Sequence, residues 1–323
     1  MTLTTSPRTR VLLDTDPGID DAMALAMLAL DPRAELVGIT TVFGNVPIER
    51  TTRNALALRE RFGIGHVPVA RGAARPLVQP AGSFADFVHG ANGLGNVELP
   101  EPAGTLDPRP AAQFIVEMAR RHSGELVLVP VGPLTNLALA LQLDPELPRH
   151  VREVVLMGGA FGTHGHGGNM SPVAEANIFN DPHAADLVAT APWPVTFVGL
   201  DVTHEVVMTT GYLDELGARG GPHGAFLRDI TRFYEAFYEF RTGGGICCHD
   251  ATAVACALDA SAFTRRPGAV RVVTEGLAAG QTIQRVRGSR FPATDWDDRP
   301  EQQVCTGVDV ARVLADFRRL FPG

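Results

Sequence analysis

The feature that most constrains the fold is an alternation of two kinds of segment over residues 11–202. Short apolar runs typical of buried strands are each followed by a run with apolar residues at helical spacing. The predicted strands are 11–14, 36–42, 126–131, 151–157 and 194–202, and the predicted helices are 20–31, 47–62, 133–141 and 182–189. This order indicates an α/β fold, an open and mostly parallel Rossmann-like sheet flanked by helices.

The second part of the chain is less regular. Helical patterns cover 222–241 and 309–320, and another helix begins near His249 after the break at Gly243-Gly244-Gly245. Residues 269–273 and 281–286 have the pattern of a hairpin. We therefore expect a small antiparallel addition near the C-terminus. Because no internal repeat or long linker divides the chain, we predict a single domain over residues 1–323.

Composition excludes several functions. The net charge is −8 and all 28 basic residues are arginine, so a nucleic-acid partner is disfavoured and both a P-loop lysine and a Schiff-base lysine are absent. No apolar run reaches the ~20 residues that span a bilayer, which argues against a membrane partner. The first ten residues lack the apolar segment of a secretory signal, so we expect a cytoplasmic protein.

The four cysteines are Cys247, Cys248, Cys256 and Cys305. They are too few for a disulfide framework in a chain of this length, and the adjacent pair lacks the usual zinc-ligand spacing. We therefore expect reduced thiols in the core.

Polar residues follow the predicted strands at the edge where parallel sheets bind ligands. The first strand runs into DTDPGIDD (14–21), and the next ends in Phe43-Gly44-Asn45. Later strands run into GPLTN (132–136) and Gly158-Gly159, and His249-Asp250 begins a late helix. This distribution predicts one site assembled from several loops.

Four aspartates lie within eight residues: Asp14, Asp16, Asp20 and Asp21. Separately, Asp20 could cap the helix and Asp14 could bind backbone amides of the turn. Together, so many like charges at one strand end would repel strongly in a partly buried site. A divalent cation removes this conflict, and an all-oxygen donor set favours Ca²⁺ or Mg²⁺ over zinc, with calcium suited to ligands from several loops.

The ordered set of motifs resembles the inosine-uridine preferring nucleoside hydrolases, which are ribonucleoside N-ribohydrolases. The motifs are DTDPGIDDA, TTVFGN, GPLTN, MGG, NMSPVAEAN and HDATAVA, and Gly280-Gln281-Thr282 is similar to a late hairpin of that family. The resemblance extends over essentially the whole chain. It implies calcium-dependent hydrolysis of the N-glycosidic bond, giving ribose and a free purine or pyrimidine base.

The resemblance also implies roles for individual residues. Asp16 would bind calcium and act as the general base that activates a metal-bound water, and Asp14 would support the turn. The implied calcium ligands are Asp16, Asp21, Asp250 and the backbone carbonyl of Val131. The implied substrate-binding residues are Asp20, Asn45, His89, Met157, Asn169, Glu175, Asn177 and Asp250. Such enzymes are commonly homo-dimers or homo-tetramers.

The chemistry of the reaction suits these residue types. Hydrolysis passes through an oxocarbenium-like sugar, so the site must place a water, remove its proton and stabilise positive charge. His249 could protonate the leaving base, because an imidazole titrates near neutrality. A site that hydrogen-bonds ribose hydroxyls predicts that ribonucleosides are preferred over 2′-deoxyribonucleosides by ~10⁴ or more.

Several finer assignments concern the walls of the site. Phe84, Phe87, Tyr234 and Tyr238 are candidate apolar walls, although aromatic residues at helical spacing are more often core. Ala176 stands where some relatives have a bulky aromatic residue. His164 and His166 could bind a metal through their H-x-H spacing, but the many glycines around them favour a mobile loop that closes over the sugar.

Three alternatives stay open from the sequence. A haloacid dehalogenase-type phosphatase would use Asp14 as nucleophile and Asp16 as acid, but its mechanism needs a lysine that this chain lacks. A non-catalytic, calcium-dependent nucleoside binder is the second. A hydrolase acting on a modified N-riboside is the third.

Overall fold

The computed structural model describes residues 8–80, 82 and 84–322. These residues form eleven strands: β1 (Thr9–Thr15), β2 (Ala34–Thr41), β3 (Val69–Arg71), β4 (Leu126–Pro130), β5 (Val151–Met157), β6 (Val195–Val198), β7 (Val207–Met208), β8 (Ile246–Cys247), β9 (Phe263–Val272), β10 (Thr282–Val286) and β11 (Glu301–Val308). Residues 1–7, which carry most of the segment predicted to lack a secretory signal, lie outside the described residues.

Twelve α-helices connect or follow these strands within the described ranges. They are α1 (Ile19–Leu30), α2 (Ile48–Arg61), α3 (Asp86–His89), α4 (Ala111–Arg121), α5 (Thr135–Leu143), α6 (Ala176–Asn180), α7 (Pro182–Thr190), α8 (Leu200–Thr203), α9 (Thr210–Arg219), α10 (Gly221–Thr242), α11 (Asp250–Leu258) and α12 (Val310–Arg318).

Nine strands form one sheet in the order β10-β9-β11-β6-β5-β4-β1-β2-β3, and β7 pairs with β8 separately. In the part of this order from β11 to β3, every pair of adjacent strands is parallel. Strand β9 is antiparallel to both of its neighbours, β10 and β11. This arrangement confirms the predicted fold class, including the hairpin of β9 and β10. The sequence patterns did not predict β11, which joins that hairpin to the parallel part of the sheet.

Two apolar layers cover the faces of the sheet. Along β1, Val11 and Leu13 belong to one buried cluster and Leu12 to the other, as expected for side chains that alternate between faces. Helices α1, α2, α10 and α11 contribute to the first cluster, and α4, α5 and α7 contribute to the second. Burying a leucine or valine side chain contributes about 1.5–3 kcal/mol, so these layers hold the strand ends in place.

The predicted strand over 194–202 is wrong in its second half. Strand β6 ends at Val198, Gly199 is extended, and Leu200 begins the short helix α8. Residues 195–202 are all buried, so this stretch lacks the exposed positions that separate strand from helix periodicity. The patterns also did not predict β3, α4 and α9.

The order of the strands positions the loops of the site. Because β5, β4, β1 and β2 are consecutive and parallel, the segments after their carboxyl ends lie side by side. Helix α11 packs against α1, which brings Asp250 towards the turn after β1. Among the described residues, no helix is long and apolar enough to cross a membrane. The single domain predicted for 1–323 stays a prediction.

Candidate active site

Asp14, at the end of β1, is held inside the sheet. Its Oδ1 accepts hydrogen bonds from Thr40 Oγ1 at 2.5 Å and from Asn136 Nδ2 at 2.7 Å. The side chain is 1% exposed, and burial raises its pKa to about 7. The carboxylate therefore ties β1 to β2 and α5. These contacts do not favour the phosphatase alternative, in which Asp14 would attack a substrate.

Asp16 is also buried, but its two carboxylate oxygens differ. Oδ2 accepts a hydrogen bond from the backbone N–H of Asn45 at 2.7 Å, whereas Oδ1 has no hydrogen-bond partner within the described part of the chain. A Cβ atom at Gly44 would lie 1.9 Å from Oδ2, and one at Gly132 would lie 2.4 Å from Oδ1. Glycine at both positions is therefore what allows two loops to approach this carboxylate.

Asp21, and not Asp20, caps the first helix. The carboxylate of Asp21 accepts the backbone N–H groups of Gly18 at 2.9 Å and Asp16 at 3.1 Å, together with the hydroxyl of Thr15. Asn45 Nδ2 donates to Asp21 Oδ2 at 3.0 Å and to the Asp16 carbonyl at 3.2 Å. The capping role proposed for Asp20 is therefore wrong, because the chain turns so that the third helical residue reaches back.

Asp20 faces the cavity and completes a tight group of acids. One carboxylate oxygen from each of Asp20, Asp21 and Asp250 lies within 4.8 Å of the other two. Burial raises the pKa of Asp20 to about 6; burial and then repulsion by Asp20 raise that of Asp21 to about 6. Burial, followed by repulsion from Asp20, Asp21 and Asp16, raises the pKa of Asp250 well above its usual range.

The carboxylates of this group differ in one member from the carboxylates predicted as calcium ligands. The sequence predicts Asp16, Asp21 and Asp250, whereas the triad contains Asp20 in place of Asp16. Asn45 connects Asp16 to the triad, because its backbone N–H donates to Asp16 and its side chain donates to Asp21. Burial, then repulsion by Asp21 and a weaker repulsion by Asp20, raises the pKa of Asp16 well above its usual range. Four buried carboxylates with few neutralising partners fit a hard divalent cation, and the partnerless Oδ1 of Asp16 supports the same conclusion.

A cavity of about 440 Å³ opens beside these carboxylates. Of the residues predicted to bind substrate, its lining contains Asp20, Asn45, His89, Met157, Asn169, Glu175, Asn177 and Asp250; it also contains Val131 and His249. The structure thus brings these positions, which extend from residue 20 to residue 250, to one site. Asp16 and Asp21 lie behind this lining.

Glu175 and Asn177 are fixed by the loops that follow β4 and β5. Glu175 accepts the backbone N–H groups of Gly159, Asn177 and Ile178 at 2.9–3.2 Å, while burial raises its pKa to about 7. Asn177 Nδ2 donates to the Val131 carbonyl at 2.9 Å and to the Met157 carbonyl at 3.2 Å. The Val131 carbonyl therefore contacts Asn177 in this structure. Asn169 Oδ1 accepts the backbone N–H of Ala176 at 2.9 Å.

His249 lines the same cavity, and both of its ring nitrogens are engaged. Its Nε2 is 2.6 Å from the Tyr238 hydroxyl, and its Nδ1 is 2.8 Å from Thr203 Oγ1. Burial, followed by the nearby His204 and Arg241, lowers the pKa of His249 well below its usual range. The lowered pKa favours the neutral ring, in contrast to the expectation from the sequence that this imidazole titrates near neutrality.

His89 lies close to Asp20. Its Nδ1 accepts the backbone N–H of Ile19 at 3.2 Å and lies 3.9 Å from Asp20 Oδ1, and its ring packs on Tyr234. Burial lowers the pKa of His89 to about 4. A neutral His89 therefore helps to position the N-terminus of α1.

The aromatic wall is partly as predicted. Phe87, Tyr234 and Tyr238 line the cavity, and Tyr234 donates to Asp20 Oδ2 at 3.3 Å, but Phe84 lies outside the lining. Sequence patterns did not single out eight further lining residues, which are Ala85, Val88, Gly168, Met170, His204, Phe237, Phe240 and Arg241. Helical periodicity in α10 marks its buried face, but the cavity lies against the exposed end of this helix, where that signal is absent.

His164 and His166 contact different partners. His164 Nε2 lies 2.9 Å from the Thr306 carbonyl, and His166 Nε2 lies 2.6 Å from Glu205 Oε1. The two rings therefore do not share a ligand through their H-x-H spacing. The predicted closing motion of this loop stays a prediction.

Comparisons with known proteins agree with this geometry. A family model described as inosine-uridine preferring nucleoside hydrolase matches residues 11–315. "Probable uridine nucleosidase 2" of Arabidopsis thaliana is 41% identical over 313 residues, covering 95% of each chain. "Inosine-uridine preferring nucleoside hydrolase" of Leishmania major is 40% identical over 284 residues, covering 87% of this chain and 89% of that protein. A solved structure described as the plant nucleoside hydrolase PpNRh1 has a TM-score of 0.94 at 35% identity, covering 98% of this chain and 100% of that one.

Proposed function

The chain belongs to the inosine-uridine preferring nucleoside hydrolase family, and we propose from this premise that it hydrolyses ribonucleosides with calcium as cofactor. The products are ribose and a free purine or pyrimidine base. The observation that carries this proposal is the meeting of buried Asp20, Asp21 and Asp250 beside Asp16, at one end of a cavity large enough for a nucleoside.

We assign the calcium ligands to Asp16, Asp21, Asp250 and the carbonyl of Val131. The donor set is entirely oxygen, as hard cations prefer, and it comes from three segments that can adjust to a large ion. When bound, calcium would supply Lewis acidity and a point of attachment for ribose hydroxyls. Val131 would then exchange part of its contact with Asn177 for the ion.

Asp16 is the general base in this proposal. Its Oδ1 is the oxygen that takes a proton from the attacking water, because Oδ2 is held by the Asn45 backbone. Burial makes the deprotonated carboxylate a stronger base than an exposed aspartate. The contacts of Gly44 and Gly132 keep Oδ1 in one orientation.

The ribose lies between the carboxylates and the loop after β5. Both amide hydrogens of Asn177 point to backbone carbonyls, so its Oδ1 is the atom that meets a ribose hydroxyl. Asp20, Asn169 and Glu175 supply further polar contacts. Because these groups are desolvated when substrate binds, a 2′-deoxyribonucleoside would leave some without partners and be hydrolysed more slowly by ~10⁴.

The leaving base lies towards Tyr238 and His249. These side chains form a hydrogen-bonded pair in the cavity lining, and a proton delivered to the base comes from this pair. The pair is neutral, so an O–H or N–H bond of the pair breaks when its proton passes to the base, and the negative charge left on the pair is opposite in sign to the charge on the sugar.

A substrate panel tests the function. We expect release of free base and ribose from inosine, adenosine, uridine or cytidine in calcium, and its loss in chelator. Binding of these nucleosides without turnover would support the non-catalytic alternative. Phosphate release from an aryl phosphate, with no base released from any nucleoside, would support the phosphatase alternative.

The assembly and compartment are proposals from family resemblance. We propose a cytoplasmic homo-dimer or homo-tetramer of the 34.4 kDa chain acting on a small-molecule substrate. Light scattering after size-exclusion chromatography would give the mass, and a monomer at assay concentration would contradict the first part. Fractionation of cells that produce the protein would test the compartment.

A further inference from the structure

A second cluster of metal-ligating side chains lies next to the cavity. His204 follows α8, Cys247 ends β8, and His249 precedes α11. One ligand atom from each lies within 4.8 Å of the other two, and all three residues are buried. Their donors are two imidazole nitrogens and one thiol sulfur. We propose that these residues form an inhibitory site for a zinc-class transition metal, distinct from the carboxylate site.

The donor chemistry separates the two sites. Nitrogen and sulfur ligands select zinc and other borderline or soft metals, whereas calcium binds oxygen. Local spacing does not reveal this cluster, because His204 lies in a different segment from Cys247 and His249. The neighbouring Cys248 does not belong to this cluster. Its backbone carbonyl accepts a hydrogen bond from the Thr252 hydroxyl.

The protonation states need one adjustment for binding. Burial, with Arg241 and His166, lowers the pKa of His204 to about 3, so its ring is neutral and has a lone pair for a metal. Burial raises the pKa of Cys247 to about 12, so the thiol keeps its proton until a metal arrives. On binding, the S–H bond breaks, a metal–sulfur bond forms and the proton passes to solvent.

The surroundings provide an approach and a fourth ligand. His204 and His249 line the cavity, so a metal ion can reach them without unfolding of the chain. A water molecule can complete a tetrahedron, whereas His166, whose ring centroid lies 5.0 Å from that of His204, contacts Glu205. Arg241 NH1 lies 2.8–2.9 Å from the His204 nitrogens and must move away. Arg241 is exposed and close to three consecutive glycines, so its side chain can turn to solvent.

Occupancy of this site would remove His249 from the reaction. A metal on Nε2 breaks the contact with Tyr238, and a metal on Nδ1 breaks the contact with Thr203. Either change alters the pair that we propose to protonate the leaving base. The inhibitory effect therefore rests on the proposed function, whereas metal binding by the cluster does not.

Cobalt binding tests the site itself. Calcium-loaded protein is titrated with Co²⁺, and a thiolate-to-cobalt charge-transfer band reports ligation by cysteine. We expect the band in the parent and in Cys248→Ser, and its loss in Cys247→Ser and Cys247→Ala. Zinc should displace the cobalt, with affinity at least about tenfold weaker in the Cys247 variants. Absence of the band in the parent, or equal zinc affinity in Cys247→Ser, would overturn the proposal.

Inhibition is measured on the same four proteins at saturating calcium. We expect zinc to slow uridine or inosine hydrolysis in the parent and in Cys248→Ser, with at least about tenfold more zinc needed in the Cys247 variants. A cobalt band with unchanged hydrolysis in zinc would overturn the inhibitory role while the site stands. No hydrolysis by the parent, with the cobalt band present, would overturn the proposed function and not the site.

Discussion

Replacement of Asp16 by asparagine separates its chemical role from its structural one. The substitution preserves the shape of the side chain, and the amide oxygen can still accept the hydrogen bond from the Asn45 backbone. It removes the carboxylate that we propose as base and calcium ligand. It also removes one of several like charges in a buried group, since Asp21 and Asp20 both repel Asp16.

Opposite effects on turnover and apo stability are therefore expected. Loss of a general base costs about 10²–10⁴ in rate, and loss of a calcium ligand adds to this. In chelator, the variant should be at least as stable as the parent. Calcium at a hundredfold excess over its Kd stabilises the parent by about 2.7 kcal/mol, and each tenfold loss of affinity removes up to about 1.4 kcal/mol of this.

The assay combines nucleoside hydrolysis with urea unfolding, each in calcium and in chelator. Asp31→Asn is a matched control, because Asp31 is buried and paired with Arg33 and Arg319 far from the cavity. We expect the control to lose stability equally with and without calcium and to keep its turnover. Near-parental turnover by Asp16→Asn, or an unchanged calcium response, would refute the reasoning.

Four further predictions follow from single contacts. Asp250→Ala should weaken calcium binding in calorimetry, and parental affinity would refute its role as ligand. His249→Ala should reduce turnover of inosine far more than that of a riboside with an activated leaving group, and equal losses would contradict proton delivery to the base. Gly132→Ala, whose Cβ would lie 2.4 Å from Asp16 Oδ1, should lower kcat by about 10² or more, whereas Gly65→Ala, with open space around it, should not. Glu175 has a pKa of about 7 in the fold against a usual 4.5, so it is protonated more readily in the folded state. The stability of the parent relative to Glu175→Gln, measured by urea unfolding in chelator, should fall by up to about 3 kcal/mol as the pH rises from about 4.5 to above about 7. A pH-independent difference would contradict this.

Local patterns were enough to predict the strands that carry the site. The strand predicted at 151–157 is β5, the strand predicted at 11–14 lies within β1, and the strand predicted at 36–42 extends one residue beyond the end of β2. These segments are buried on both faces and are followed by turn residues, which makes them visible without tertiary information. The parallel order then accounts for the loops that converge at the cavity.

The errors lie where tertiary contacts override local signals. Strand β11 contains Glu301, Gln302 and Gln303, and only its place between β6 and β9 makes these residues a strand. Gln302 is buried, and its side-chain amide is satisfied by the backbone N–H of Val195 and the carbonyl of Ala189. A polar run of this kind has no apolar alternation to detect.

The candidate site shows the same division. The aspartates after β1 could be identified from their number and spacing, but which of Asp16 and Asp20 completes the tight triad depends on how α1 begins. The contacts of His249 with Thr203 and Tyr238 could not be inferred, because α8 and α10 approach it only in the folded chain.

The most direct test of the central claim is a calcium titration of chelator-treated protein, with bound metal and uridine or inosine hydrolysis measured on the same samples. We expect activity to be lost without metal and to return in proportion to bound calcium, reaching its maximum near one ion per chain. Full hydrolysis by protein that contains no bound divalent cation would contradict it.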